Sequence, residues 1–152
     1  MDIKRNILLN PGPATTTDTV KRAQLVPDIC PREREFGQLM RDLGTDLLKV
    51  VHADPADWAT VLFCGSGTIC MDACVSSLIP ADGKLLIVNN GAYSARAAEM
   101  ARAYSVPHIN LRFPIDGLPD LDVVEQTLRE HPEIAAVYTT HQETGTGILN
   151  PV

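Results

Sequence analysis

The sequence predicts an α/β fold with a mostly parallel sheet flanked by helices, on three observations. From Trp58 onward, short apolar runs alternate with helix-length segments, the pattern of strands joined by covering helices. Val61-Leu62-Phe63-Cys64 leads into Gly65-Ser66-Gly67-Thr68, so an apolar strand ends in a glycine-rich turn that opens a helix. Asn89-Asn90-Gly91-Ala92-Tyr93 and the segment from Thr139 to Gly147 also follow apolar runs. Open parallel sheets gather their ligands at such loops, outside the carboxyl ends of strands.

The elements can be justified in order. Ile7-Leu8-Leu9 is a short apolar start, and Asn10-Pro11-Gly12-Pro13 is a stiff turn because two prolines and a glycine exclude regular structure. Thr17 or Asp18 caps a helix expected to reach residue 25, before Pro27 and Pro31 interrupt the chain. Over 33–52, Phe36, Leu39, Met40, Leu43, Leu47, Leu48 and Val51 recur at helical spacing and predict an amphipathic helix. Gly44 inside it costs about 1 kcal/mol relative to alanine. Strands are expected at 60–63, 85–89, 108–112 and 135–139. Helices are expected at 66–78, 92–104 and 121–131, the last with Asp120 placed to cap it.

Composition narrows the function classes. A chain of 152 residues, 45% apolar, has the length of one ordinary domain and enough apolar surface for a core. Thirteen Lys and Arg stand against 19 Asp and Glu, a net charge of −6 without any basic run, which argues against nucleic acid as a partner. The opening residues carry no apolar leader, and no run approaches the roughly 20 apolar residues a bilayer requires. A soluble cytoplasmic protein without a membrane partner is therefore expected. Of the four cysteines, Cys30, Cys64, Cys70 and Cys74, the last two share a helical spacing. No second pair or nearby histidine completes a zinc set, so buried free thiols are expected and no metal site.

The Gly65-Ser66-Gly67-Thr68 turn has the makings of an anion site. A helix start leaves amide N–H groups unpaired and carries partial positive charge, glycine admits close approach, and hydroxyls add donors. Its spacing fits neither the P-loop, nor the Rossmann fingerprint, nor the nucleophile elbow. On these residues alone, a plain structural turn is the other reading.

The order of the loops carries a resemblance. Asn10-Pro11-Gly12-Pro13, Cys64-Gly65-Ser66-Gly67-Thr68, Asn89-Asn90-Gly91-Ala92-Tyr93-Ser94-Ala95-Arg96 and His141-Gln142-Glu143-Thr144-Gly145-Thr146-Gly147 together resemble the small pyridoxal-phosphate-dependent aminotransferases of fold type I. The narrower likeness is to the 2-aminoethylphosphonate:pyruvate transaminases, supported by the segment from Asp28 to Gly37. The alanine:glyoxylate and serine:pyruvate transaminases share the same loops and remain an alternative. The resemblance runs from residue 6 to the end, and it implies residues 1–17 as a substrate-side segment and 18–152 as an incomplete cofactor-binding large domain.

Further implications fall on named positions. Ser66, Gly67 and Thr68 would bind the phosphate of pyridoxal 5′-phosphate, Tyr93 would stack on its ring, and Thr144 would approach the ring with its hydroxyl. Pro11 and Gly12 would border the substrate. Gly145 departs from relatives that carry serine or threonine there. Without the family, Tyr93 reads as an ordinary core aromatic, Thr144 as a turn residue, and Arg32 and Arg34 as surface charges at a helix start. His141 is expected to be structural.

The resemblance also implies partners and an absence. An amino donor, 2-aminoethylphosphonate, and pyruvate are the expected small-molecule partners, and a homodimer the expected assembly of the complete enzyme. The Schiff-base lysine and the carboxylate for the pyridine nitrogen lie further along in relatives. None of Lys4, Lys21, Lys49 and Lys84 matches the former, and no aspartate occurs from Val137 onward. No catalytic residue is therefore assigned. The alternative is a truncated, inactive paralogue or binding module that retains the phosphate loop.

Overall fold

The computed structural model describes residues 4, 6–10 and 12–152. It divides into two units, residues 1–64 and 65–152.

In the first unit, α1 (Asp18–Arg22) starts at Thr17, whose hydroxyl accepts from the Val20 amide at 3.4 Å. It ends earlier than expected. Residues 24 and 25 instead close tighter turns onto the Lys21 and Arg22 carbonyls as the chain approaches Pro27. Helix α2 (Arg34–Val50) follows the apolar spacing closely, with Leu48 its buried residue. The strand expected at 60–63 does not form. A strand needs a neighbour to take up its N–H and C=O groups, and no strand among the described residues pairs with this segment. Val61 and Phe63 are exposed, and the tie here is the Thr60 hydroxyl donating to the Gly44 carbonyl at 2.8 Å.

The second unit holds the sheet. After α3 (Gly67–Ser77) come β1 (Lys84–Asn89), α4 (Ala92–Ala103), β2 (His108–Arg112), α5 (Leu121–Glu130) and β3 (Ile134–Thr139). The three strands are all parallel in the order β2-β1-β3. Leu85 pairs with His108 on one side of β1 and Ala136 on the other; Val88 pairs with Leu111 and Thr139. As the central strand, β1 buries Leu85, Leu86, Ile87 and Val88 consecutively, the unbroken apolar run of a strand covered on both faces. Leu85 and Ile87 join Val75 of α3 and Ala97, Ala98 and Ala101 of α4 in the core. Small alanines let α4 lie close to the sheet. The Tyr104 hydroxyl, just past α4, reaches Asp72 of α3 at 2.9 Å. Asp120 caps α5 through bonds from the Asp122 and Val123 amides.

Two further features depart from expectation. A small antiparallel hairpin, β4 (Gln142–Glu143) and β5 (Ile148–Leu149), follows the sheet and turns through Gly147 at φ 77°. The four cysteines are exposed rather than buried. Only Val75 of α3 is buried, so the helix turns Cys70 and Cys74 outward. No helix among the described residues is long and apolar enough to cross a membrane.

Candidate functional site

The first turn of α3 is built to donate. Ser66 is the N-cap in extended backbone, but its hydroxyl makes no capping bond. The first local bond runs from the Ile69 amide to the Ser66 carbonyl at 3.0 Å, and the amides of Ser66, Gly67 and Thr68 have no partner among the described residues. Ser66 and Gly67 are exposed and Thr68 half-buried. A Cβ on Gly67 would meet nothing within 4 Å. Packing therefore does not demand this glycine, and its effect is to leave the amides open to close approach. Three N–H groups and two hydroxyls at a helix start form a donor set suited to a phosphate monoester.

Tyr93 stands on the first turn of α4, 39% exposed. The Arg96 guanidinium lies 5.6 Å from its ring centroid and places Nη1 3.5 Å from Thr68 Oγ1. Arg96 thus bridges the donor turn of α3 and the aromatic ring of α4, a link that the sequence offers only as a three-residue helical spacing from Tyr93. Thr144 follows β4, half-buried, with its hydroxyl unpartnered among the described residues, beside exposed Gly145.

Behind these residues lies a buried polar network. Glu143 is 1% exposed, and its Oε1 accepts from the Ser94 amide at 3.4 Å and lies 3.2 Å from the Ser94 hydroxyl. Asn90 and Asn150 exchange side-chain bonds of 2.7 and 3.0 Å, and Asn150 Nδ2 also donates to the Thr140 carbonyl at 2.7 Å. Asn90 Nδ2 reaches the Gly117 carbonyl at 3.1 Å. Partners 49 and 60 residues apart leave no local sequence signal.

The remaining expected positions have surroundings of their own. His141 is exposed, its carbonyl accepting from the Asn150 amide at 2.7 Å. Pro11 lies outside the described residues. Gly12, in the first unit, is exposed and its carbonyl accepts from Asn10 Nδ2. Arg32 and Arg34 are exposed at the start of α2. Lys84 opens β1 and donates to Glu133 at 2.7 Å. That bond, the Glu133 backbone amide and His131 hold the Glu133 carboxyl down to about 2. A groove of about 400 Å³ at the carboxyl ends of β1 and β2 is lined by Asn89, Asn90, Gly91, Arg112 and Phe113, and by none of the expected cofactor residues.

No family model matches the chain. Over 147 residues it is 38% identical to the 2-aminoethylphosphonate–pyruvate transaminase of Lactiplantibacillus plantarum, covering 96% of this chain and 40% of the relative. It is 39% identical to the enzyme of the same name from Syntrophobacter fumaroxidans, covering 96% and 39%. The chain thus spans about two-fifths of the length of these curated relatives. Among solved structures, the pyridoxamine–pyruvate aminotransferase of Mesorhizobium loti superposes with a TM-score of 0.85 at 24% identity, over 98% of this chain and 37% of that one. The alanine–glyoxylate aminotransferase of a Nostoc species gives 0.83 at 25% identity, over 99% and 39%. In sequence, this chain is similar to a portion of the 2-aminoethylphosphonate–pyruvate transaminases, and its fold matches that of a portion of the two aminotransferase structures.

Proposed function

We propose that this chain is the phosphate- and ring-binding portion of a pyridoxal 5′-phosphate-dependent aminotransferase that moves an amino group from 2-aminoethylphosphonate to pyruvate. The observation that carries this reading is the open donor set of Ser66, Gly67 and Thr68 at the head of α3. In this reading residues 18–152 form part of the cofactor domain, residues 1–17 border the substrate, and the complete enzyme works as a cytoplasmic homodimer.

When bound, the cofactor supplies an electron-withdrawing ring that stabilises negative charge on the donor carbon. The chain's own residues hold and orient it. The amides of Ser66, Gly67 and Thr68 and the two hydroxyls donate to the phosphate, and the Tyr93 ring fixes the plane of the pyridine. The Thr144 hydroxyl supplies a polar contact at the ring, while Gly145 supplies none. Pro11 and Gly12 border the acidic end of the donor.

One observation favours binding without turnover for the chain by itself. Residues 65–152 contain a single lysine, Lys84. It sits at the amino end of β1, roughly 16 Å of strand away from the carboxyl-end loops, and Glu133 engages it. The amine that anchors the cofactor must then come from outside this unit.

Pyridoxine 5′-phosphate, which has no aldehyde to condense with surface lysines, tests the reading against pyridoxine by calorimetry. Two charge-assisted bonds at about 1.5 kcal/mol each predict roughly 100-fold tighter binding of the phosphate ester. The Tyr93→Ala variant should lose about five- to tenfold through the missing stack. Equal affinity for ester and alcohol would overturn the proposal.

A further inference from the structure

We infer that Glu143 is a positioning residue whose buried carboxyl group caps α4 from a distant loop, and so fixes Tyr93 and Thr144 relative to one another. Helix α4 begins at Gly91, the N-cap, which has no side chain to offer. An N-cap side chain ordinarily accepts from the amide of the third helical residue. Here that residue is Ser94, and its amide donates to Glu143 Oε1 at 3.4 Å instead. The Ser94 hydroxyl lies 3.2 Å from the same oxygen. Ser94 Oγ in turn accepts from the Gly91 amide at 3.2 Å. One carboxyl oxygen from 49 residues away therefore completes the cap that the helix lacks.

The glycine supports this reading. Gly91 has φ −174° and ψ −172°, extended backbone that is not left-handed. Space explains it: a Cβ there would fall 2.2 Å from Glu143 Cδ and 2.4 Å from Oε2. Gly91 admits the carboxyl group. Glu143 also organises its own loop, because its carbonyl accepts from the Thr146 and Gly147 amides at 3.2 and 2.7 Å. Tyr93 immediately precedes Ser94, and Thr144 immediately follows Glu143. A side chain buried to 1% exposure thus joins the two residues assigned to the cofactor ring. Their assignment rests on the proposed function; the cap itself does not.

The test compares Glu143→Ala, Glu143→Gln and Gly91→Ala in the same chain by nitrogen–proton NMR. Amide hydrogen exchange at Ser94 reads the cap without any ligand. Titrations with inorganic phosphate and with pyridoxine 5′-phosphate separate the α3 donor turn from the ring wall. Glu143→Ala and Gly91→Ala should speed Ser94 exchange at least tenfold. Both should weaken pyridoxine 5′-phosphate by about tenfold while inorganic phosphate stays within twofold. Glu143→Gln, which keeps an acceptor of the same shape, should restore most of both. Should Glu143→Ala fail to fold, the other two variants carry the comparison. Unchanged Ser94 exchange in Gly91→Ala would overturn the cap, and equal weakening of both probes would overturn the positioning role. If the unmodified chain binds neither probe, the cofactor reading fails and takes the ring-positioning role with it, while exchange still decides the cap.

Discussion

Replacing Asn150 by alanine tests the network that ties the loop after β1 to β5. Both Asn90 and Asn150 are 2% exposed, so bonds lost there are not readily replaced by water. Asn150 Nδ2 donates to Asn90 Oδ1 at 3.0 Å and to the Thr140 carbonyl at 2.7 Å, and its Oδ1 accepts from Asn90 Nδ2 at 2.7 Å. Truncation strands one buried acceptor, Asn90 Oδ1, and one partly buried acceptor, the Thr140 carbonyl, whereas Asn90 Nδ2 keeps the Gly117 carbonyl at 3.1 Å. At about 1–1.5 kcal/mol for each stranded group, the expected loss is about 2–3 kcal/mol. Asn150→Asp should cost at least as much, because it sets an oxygen where two acceptors require a donor. Urea unfolding followed by far-UV circular dichroism reads the loss as a lower midpoint at unchanged slope. The double variant Asn90→Ala, Asn150→Ala should fall short of the sum of the singles by about 1 kcal/mol, since each single already breaks the shared bonds. A loss below about 0.5 kcal/mol for Asn150→Ala, or strict additivity, would refute the network.

Three further outcomes are expected. Glu133, held at about 2 against its ordinary 4.5, contributes stability that is complete above 4.5 and disappears as pH falls toward 2. The stability gap between the unmodified chain and Lys84→Met should therefore be full at neutral pH and close across that window; a gap independent of pH would contradict the pairing. Ile87→Ala, at a fully buried position between Val75 and the α4 alanines, should cost about 3–4 kcal/mol by chemical denaturation, from three lost carbons and the cavity they leave. Asp120→Ala removes the two-bond cap of α5 and should cost about 1 kcal/mol, with faster amide exchange confined to its first turn.

Much of the fold was legible because helix and parallel-strand signals are local. The spacing over 33–52 gave α2 within two residues at each end. The apolar run at 85–89 gave β1, extended only by Lys84, and Asp120 marked the start of α5, where its carboxylate accepts from the Asp122 and Val123 amides. The segment 60–63 misled because its apolar run looks like a strand, yet strand formation depends on an adjacent partner rather than on the run itself. The cysteines misled for a similar reason. Burial depends on what covers a helix face, and the face of α3 carrying Cys70 and Cys74 is turned outward.

The amino-acid order alone was enough to put Ser66, Gly67 and Thr68 at the head of a helix, because the glycines, the hydroxyl residues and the helical segment after them are neighbours along the chain. Tertiary structure alone decided that Arg96 bridges Thr68 and Tyr93, that Glu143 supplies the cap Gly91 cannot, and that Asn90 meets Asn150. Each of these contacts satisfies or orients polar groups brought together by the parallel sheet, whose crossovers carry loops dozens of residues apart to the same end of neighbouring strands.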